Sequence, residues 1–76
     1  MNNIRRKKIR LVMQELEKLM EEINEIHDEE QDSFDNLPEG LQMSMMGERM
    51  EECIDNLDEA LDLMDELHDK LEDVSL

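Results

Sequence analysis

The fold of this chain is decided by residues 43–74, MSMMGERMEECIDNLDEALDLMDELHDKLEDV, in which apolar residues recur every three or four positions. One heptad row consists of Met43, Met50, Leu57, Met64 and Leu71, and a second of Met46, Cys53, Ala60, Leu67 and Val74. A third row, which widens the stripe on one side, consists of Ile54, Leu61 and His68. This spacing places the apolar side chains on one side of an α-helix and is typical of coiled coils and helical bundles.

A second amphipathic pattern occupies the first part of the chain. Its heptad rows are Ile9, Leu16 and Ile23; Val12, Leu19 and Ile26; and, as the widening row, Met13, Met20 and His27. The two patterns predict a first helix over about residues 3–31 and a second over about 44–73, with Ser44 as N-cap. The loop over residues 32–43 contains Pro38, which cannot continue a helix, and Gly40, which allows the chain to reverse. Gly47 is expected to permit close approach of the loop backbone.

Two helices of about 45 Å each, at 1.5 Å per residue, predict an antiparallel helical hairpin when a short loop joins them. We therefore predict an all-α, coiled-coil-like fold with a single domain over residues 1–76. Each apolar stripe is three heptad positions wide, and a lone hairpin would leave one edge of each stripe in water. The sequence thus predicts a homodimer of hairpins forming a four-helix bundle. Docking of the free side on a different protein is the alternative.

Charge is distributed unevenly along the chain. There are 23 acidic and 8 basic side chains, a formal net charge of −15, and most basic residues lie near the start. This basic cluster consists of Arg5, Arg6, Lys7, Lys8 and Arg10. In an antiparallel hairpin the cluster lies beside the acidic end of the second helix, so we expect it to pair there, with no direct contact to nucleic acid or membrane. The negative charge of the remainder favours encounters with a basic protein.

Cysteine usage and hydropathy indicate the compartment. The single cysteine, Cys53, excludes an intrachain disulfide and suits a reducing environment. Its place on the apolar stripe predicts a packed core thiol. The sequence has no signal-peptide pattern and no run approaching the ~20 apolar residues of a membrane span. We expect a soluble, cytoplasmic protein.

The sequence shows no pattern typical of an enzyme, a cofactor site or a metal site. There is no Ser-His-Asp or Cys-His arrangement and no glycine-rich phosphate loop. His27 and His68 invite comparison with bundles in which Glu-x-x-His pairs bind two metals, but Asn24 and Asp65 stand where the Glu would be. We therefore expect a non-enzyme without cofactor or metal.

Two surfaces are candidates for binding a partner protein. The second helix carries regularly spaced carboxylates that can imitate the phosphates of a nucleic acid, and its predicted contact residues are Asp62, Asp65 and Asp69. The Met-rich end of the hairpin is the second candidate, because methionine adapts to varied surfaces. Its predicted contact residues are Phe34, Leu37, Pro38, Leu41 and Met45. A merely solvated acidic face and core-filling methionines are the simpler alternatives.

The loop region carries a resemblance. Residues 30–42, EQDSFDNLPEGLQ, followed by Ser44, Gly47-Glu48 and residues 50–57, MEECIDNL, resemble small acidic proteins of phage and bacterial mobile elements. Their shared core is EEQ-x-x-FDNLPE-x-LQ-x-S-x-x-GE-x-MEE-x-IDNL, and the similarity covers about residues 5–65. The resemblance implies no specific activity, but it implies a mobile-element setting and the host cytoplasm. By analogy it favours inhibition of a host defence or nucleic-acid-handling protein. Met43, Met45 and Met46 depart from more polar residues in that family, so the chemistry of this region differs.

Taken together, these patterns predict a non-catalytic protein-interaction module. An acidic inhibitor of a basic, nucleic-acid-binding or defence protein is the leading interpretation. An adaptor that binds through the Met-rich end of the hairpin and a purely structural, self-assembling bundle are the alternatives.

Overall fold

The computed structural model describes all of residues 1–76 and contains three helices. They are α1 (Asn3–Asp35), α2 (Glu39–Gln42) and α3 (Met45–Ser75). The long helices α1 and α3 pack side by side in a molecule 58 Å long and 15 Å wide. This confirms the predicted all-α hairpin. No helix is both long enough and apolar enough to span a lipid bilayer.

Both long helices begin at a capping side chain. The Asn2 side chain accepts a hydrogen bond from the Arg5 backbone N–H at 2.9 Å. Ser44 confirms its predicted role, because its hydroxyl accepts from the Gly47 backbone N–H at 3.4 Å and donates to the Leu41 carbonyl. Each cap satisfies an N–H group that has no partner within its helix.

Three contacts fix the antiparallel register of α1 and α3. Arg10 of α1 contacts Ser75 of α3, Glu17 contacts His68, and His27 contacts Asp58. The helices therefore keep one register from residues 10–27 of α1 against residues 58–75 of α3.

The seam between the long helices is formed by two heptad rows from each. The seam residues of α1 are Arg6, Ile9, Met13, Leu16, Met20, Ile23, His27, Glu30 and Phe34. Those of α3 are Gly47, Met50, Ile54, Leu57, Leu61, Met64, His68, Leu71 and Ser75. Among large apolar side chains, only Leu16 and Ile54 are buried, at 8% and 7% exposure. The core of one hairpin is therefore thin.

The third row of each stripe lies outside the seam, and the prediction of which two rows pack inside was wrong. The rows of Leu19 and Cys53 were expected inside, yet Leu19 is 51% exposed and Cys53 is exposed. The rows expected at the edge, which contain Met20 and Ile54, lie in the seam instead. A two-helix seam accommodates only two neighbouring rows, so one edge of each apolar stripe remains exposed to solvent, as predicted. The physical reason for the choice of rows lies at the end of the hairpin.

The tip of the hairpin, residues 34–47, is organised by Gln42. Its side-chain amide donates to the carbonyls of Phe34 and Leu37, both at 3.2 Å, which ties the end of α1 to α2. Gly47 lies so close to this turn that a Cβ there would be 2.1 Å from the Gln42 carbonyl oxygen. The expected close approach at Gly47 is thereby confirmed.

Other expectations for the loop need correction. α1 continues to Asp35 rather than ending near residue 31, because Phe34 falls on the same heptad row as His27 and packs in the seam. Gly40 lies inside α2 with a negative φ and serves no reversal. Met43 was placed on the apolar stripe, but it follows α2 as its C-cap and is 86% exposed.

The basic cluster does not form the predicted carboxylate pairs. The only ion pairs within 4.0 Å involve His27 and His68. Arg10 instead donates a hydrogen bond to the Ser75 carbonyl at 3.3 Å. This contact lies at the last turn of α3, where the helix dipole stabilises a positive charge. Arg6 is half-buried in the seam and donates to the Asn3 side chain at 3.0 Å. The cluster is thus part of α1 rather than a free arm.

Candidate interaction surfaces

The two flanks of the seam have opposite chemistry. One flank, the apolar side, is formed by the residues that directly precede the Met13, Met20 and His27 row of α1 and the Gly47 to Ser75 row of α3: Val12, Leu19 and Ile26 with Met46, Cys53, Ala60, Leu67 and Val74. Residues that directly follow a seam residue come to the other flank, the polar side: Arg10, Glu17, Asn24 and Gln31 with Glu51, Asp58, Asp65 and Glu72. In an antiparallel pair, equivalent flanks of the two helices meet on the same side.

The apolar side is a continuous half-exposed stripe. Its large side chains are between 44% and 52% exposed along both helices. By the register of the hairpin, Val12 lies level with Val74, Leu19 with Leu67, and Ile26 with Ala60. This stripe is a candidate interaction surface, because isolated soluble domains rarely expose large contiguous apolar patches.

The polar side contains a groove between the long helices. Its floor is formed by the half-buried seam residues Met20 and Leu61. Its rim is lined by Glu21, Asn24, Asp62 and Asp65. The structure therefore brings two of the three predicted acidic contact residues, Asp62 and Asp65, to one site. Asp69 is exposed one helical turn beyond the groove.

Two histidine–carboxylate contacts bridge the helices on this polar side. His68 Nε2 donates to Glu17 Oε1 at 2.9 Å. That hydrogen bond, with further attraction from Glu72 and Asp69, outweighs the loss of hydration and raises the pKa of His68 above 6.5. His27 lies between two carboxylates, with Nδ1 at 3.1 Å from Asp28 Oδ1 and Nε2 at 2.8 Å from Asp58 Oδ1. The Asp58 contact lacks hydrogen-bond alignment.

The tip presents the second predicted surface in part. Phe34 and Leu37 are half-buried and close the end of the seam, whereas Pro38 is exposed. Leu41 is 45% exposed and Met45 is 86% exposed. The five predicted contact residues thus divide into two that support the hairpin and three that face solvent.

Two further features concern side chains that can bind a metal or react as a thiol. His68, Asp69 and Glu72 place possible ligand atoms within 4.8 Å of one another, but His68 is already bound to Glu17. Cys53 sits on the apolar side rather than in the core. The sequence does not predict that Met20 and Leu61 form the floor of one groove, because each is seen there only as a member of its own helix's apolar stripe. Their joint position depends on the register, which no local signal reveals.

Comparisons with family models, curated proteins and solved structures found no significant match for this chain. The functional interpretation therefore draws on the surfaces themselves and on the sequence resemblance of the tip region.

Proposed function

We propose that this chain is a non-catalytic protein-interaction module that binds a basic protein through the carboxylates of its polar side. The groove between α1 and α3 carries this proposal. Its apolar floor at Met20 and Leu61 suits the aliphatic stem of a lysine or arginine, because such side chains bury their stems and keep the charge at the surface. The rim carboxylates of Asp62 and Asp65 would then bind the ammonium or guanidinium group.

The overall charge supports a basic partner. A formal net charge of −15 attracts cationic surfaces over long distances and accelerates their encounter. The same charge repels nucleic acids and anionic membranes. A protein that binds nucleic acid presents clustered Lys and Arg side chains, which is the surface chemistry that this polar side complements.

An inhibitory role is the most specific form of the proposal. A module that occupies the basic surface of a nucleic-acid-binding or defence protein would block access of nucleic acid to that surface. The resemblance of the tip region to acidic proteins of mobile elements supports such a role in the cytoplasm of a host cell. No catalytic step and no cofactor enters this proposal.

Paired charge reversals test the acidic surface. The variant Asp62→Lys/Asp65→Lys alters the groove rim, and its matched control Glu59→Lys/Glu66→Lys makes the same charge change on exposed positions outside the groove. Each full-length protein is immobilised and exposed to nuclease-treated host lysate, and bound proteins are eluted with a salt gradient. We expect one basic protein to be retained by the wild type and the control and released at moderate salt. Equal retention by both variants would refute a role for the groove.

The tip is the second candidate binding surface. Met43 and Met45, each 86% exposed, are the most exposed large apolar side chains of the chain. A partner bound there, with Leu41 and Pro38, would resist elution at about 0.5 M salt, where screening acts within ~4–5 Å. The variant Met43→Gln/Met45→Gln should abolish such binding and leave binding to the acidic groove intact.

We also propose that the working form is a homodimer in which two hairpins form a four-helix bundle. The half-exposed apolar side supports this form, because a single hairpin leaves one row of each three-row stripe in water. A purely structural, self-assembling bundle would show the dimer without any retained partner.

A further inference from the structure

We infer that the apolar side is covered by a second copy of this chain, whose two-fold axis runs along the helices so that both tips lie at the same end. The inference rests on the proposed self-association and adds its geometry. Each α1 then lies across the partner's α3. In the opposite arrangement, with the axis perpendicular to the helices, each α1 lies across the partner's α1 and the tips lie at opposite ends.

The size of the apolar side suits a second hairpin. The hairpin is 58 Å long and 15 Å wide, and the apolar rows follow most of that length, as a stable interface burying about 800 Å² per partner requires. Its rows extend from Val12 and Val74 at one end to Met46 near the tip. A second copy is long enough to cover all of them and presents a matching apolar side of its own.

Tips at the same end bring identical layers of the two copies together. With a lengthwise axis every layer meets its own copy, so the level of Leu19 and Leu67 meets Leu19 and Leu67 of the partner. The layer of Cys53 and the layer of Met46 are then covered as well. A perpendicular axis through the level of Ile26 and Ala60 would cover the same rows, so coverage alone does not separate the two arrangements.

The charges of the rows that border the apolar side distinguish the two dimer arrangements. The row that borders the apolar side on α1 contains Lys8, Glu15, Glu22 and Glu29. The bordering row on α3 contains Arg49, Asn56, Leu63 and Lys70. A lengthwise axis brings the acidic row of one copy against the basic-ended row of the other. A perpendicular axis brings the glutamates of α1 against their own copies, and like charges at such short distances oppose association.

One intermolecular ion pair follows from the register. Glu15 lies level with Lys70, because Arg10 is level with Ser75 and Glu17 with His68. Within one hairpin these two side chains are on opposite outer edges, and neither has an ion-pair partner within 4.0 Å. In the inferred dimer, Glu15 faces the partner's Lys70 on both sides of the bundle.

The first experiment measures the distance between the tips. A nitroxide label is attached to Glu39→Cys, an exposed position of α2, in the Cys53→Ala background of the full chain, and the dimer is examined by double electron–electron resonance. Since packed helices lie 8–10 Å apart, tips at the same end should give a label distance of about 20–35 Å. A distance of about 40–60 Å, which tips at opposite ends give at 1.5 Å per residue for an axis between the Ile26 and Leu19 levels, would overturn the lengthwise axis but leave self-association standing. A monomer at tens of micromolar by sedimentation would overturn both.

The second experiment exchanges the charges of the inferred ion pair. Lys70→Glu should weaken the dimer roughly 3- to 10-fold, because two symmetric pairs are lost, and Glu15→Lys/Lys70→Glu should restore the wild-type dissociation constant. Failure of the double variant to restore affinity would contradict the pairing of Glu15 with the partner's Lys70. The same variants leave the groove carboxylates intact, so binding of a basic partner reports separately on the proposed function.

A matched pair of leucine variants tests the covered surface itself. Leu19→Gln should weaken the dimer about 100-fold, because two half-exposed leucines leave the interface. Leu11 is 59% exposed and lies outside the apolar side, so Leu11→Gln should change the dissociation constant less than twofold. Equal effects of the two variants would show that the apolar side is not the interface.

Discussion

Gly47 and Gly40 should respond in opposite directions to the same substitution. Both glycines lie in helices, where alanine is favoured by up to about 1 kcal/mol. At Gly40 an added Cβ meets nothing within 4 Å. At Gly47 it would lie 2.1 Å from the Gln42 carbonyl oxygen, 2.5 Å from the Gln42 carbonyl carbon and 2.6 Å from the Leu41 carbonyl oxygen. These are backbone atoms, so no side-chain rotation can relieve the overlap.

The clash at Gly47 must separate α3 from the tip by more than half an ångström. Overpacking of this kind costs typically 1–3 kcal/mol. Movement of the Gln42 backbone also strains the two hydrogen bonds from its side chain to Phe34 and Leu37, which contribute about 0.5–1.5 kcal/mol each. After subtraction of the gain in helix propensity, we expect Gly47→Ala to lower the free energy of unfolding by about 1–3 kcal/mol. Gly40→Ala should raise it by about 0.4–1 kcal/mol.

Thermal unfolding followed by circular dichroism at 222 nm measures both effects. For a domain of this size 1 kcal/mol shifts Tm by about 4–8 °C, so Gly47→Ala should lower Tm by roughly 5–20 °C and Gly40→Ala should raise it by a few degrees. All samples must have the same protein concentration, because self-association makes Tm depend on it. A rise in Tm for both variants would refute the close approach of Gly47 to α2.

Three further results are expected. The raised pKa of His68 means that the fold favours its protonated form, so its stabilising contribution is fully present below the unfolded pKa of about 6.5 and is lost as pH rises through the higher folded pKa. When Tm is measured from pH 5.5 to 8.5, the excess Tm of the wild type over His68→Gln should therefore shrink with rising pH. A constant difference in Tm would contradict this. Adding salt to about 0.5 M should raise Tm by screening the repulsion of a −15 chain, whereas a fall would show that attractive ion pairs dominate. Gln42→Ala should lower the free energy of unfolding by about 1–2 kcal/mol in chemical denaturation, and an unchanged midpoint would show that its amide does not tie the tip.

The helices were predictable because their signals are local and repeated. Apolar residues keep a spacing of three and four over the whole of α3, and Ser44 precedes it with a capping hydroxyl. The close approach at Gly47 was also predictable in outline, since a glycine in the first turn of a helix has little other purpose. The extension of α1 to Asp35 was missed because Asp32 and Ser33 look like loop residues. Packing of Phe34 in the seam overrides those local preferences.

The sequence predicts which residues of a candidate site share one side of a helix, but not where the two helices bring such residues together. Asp62, Asp65 and Asp69 share one side of α3 by spacing alone, and that much of the acidic surface followed from the sequence. The groove requires Met20 of the other helix, whose level against Leu61 is set by the register of the hairpin. Likewise, Glu17 meets His68 across 51 positions of sequence, a distance over which no periodicity carries information.

The choice of seam rows is decided at the tip, and it determines which functions can coexist. By apolar content alone, the row of Val12, Leu19 and Ile26 would pack inside at least as well as the row of Met20 and His27. Phe34 and Gly47, however, are in phase with the latter row and with Ile54, so a tip closed by these two residues rotates both helices toward that seam. The rotation places the third apolar row of each helix on one flank and the groove carboxylates on the other. The proposed pairing with a second copy and the proposed binding of a basic protein therefore use opposite sides of the hairpin and do not compete.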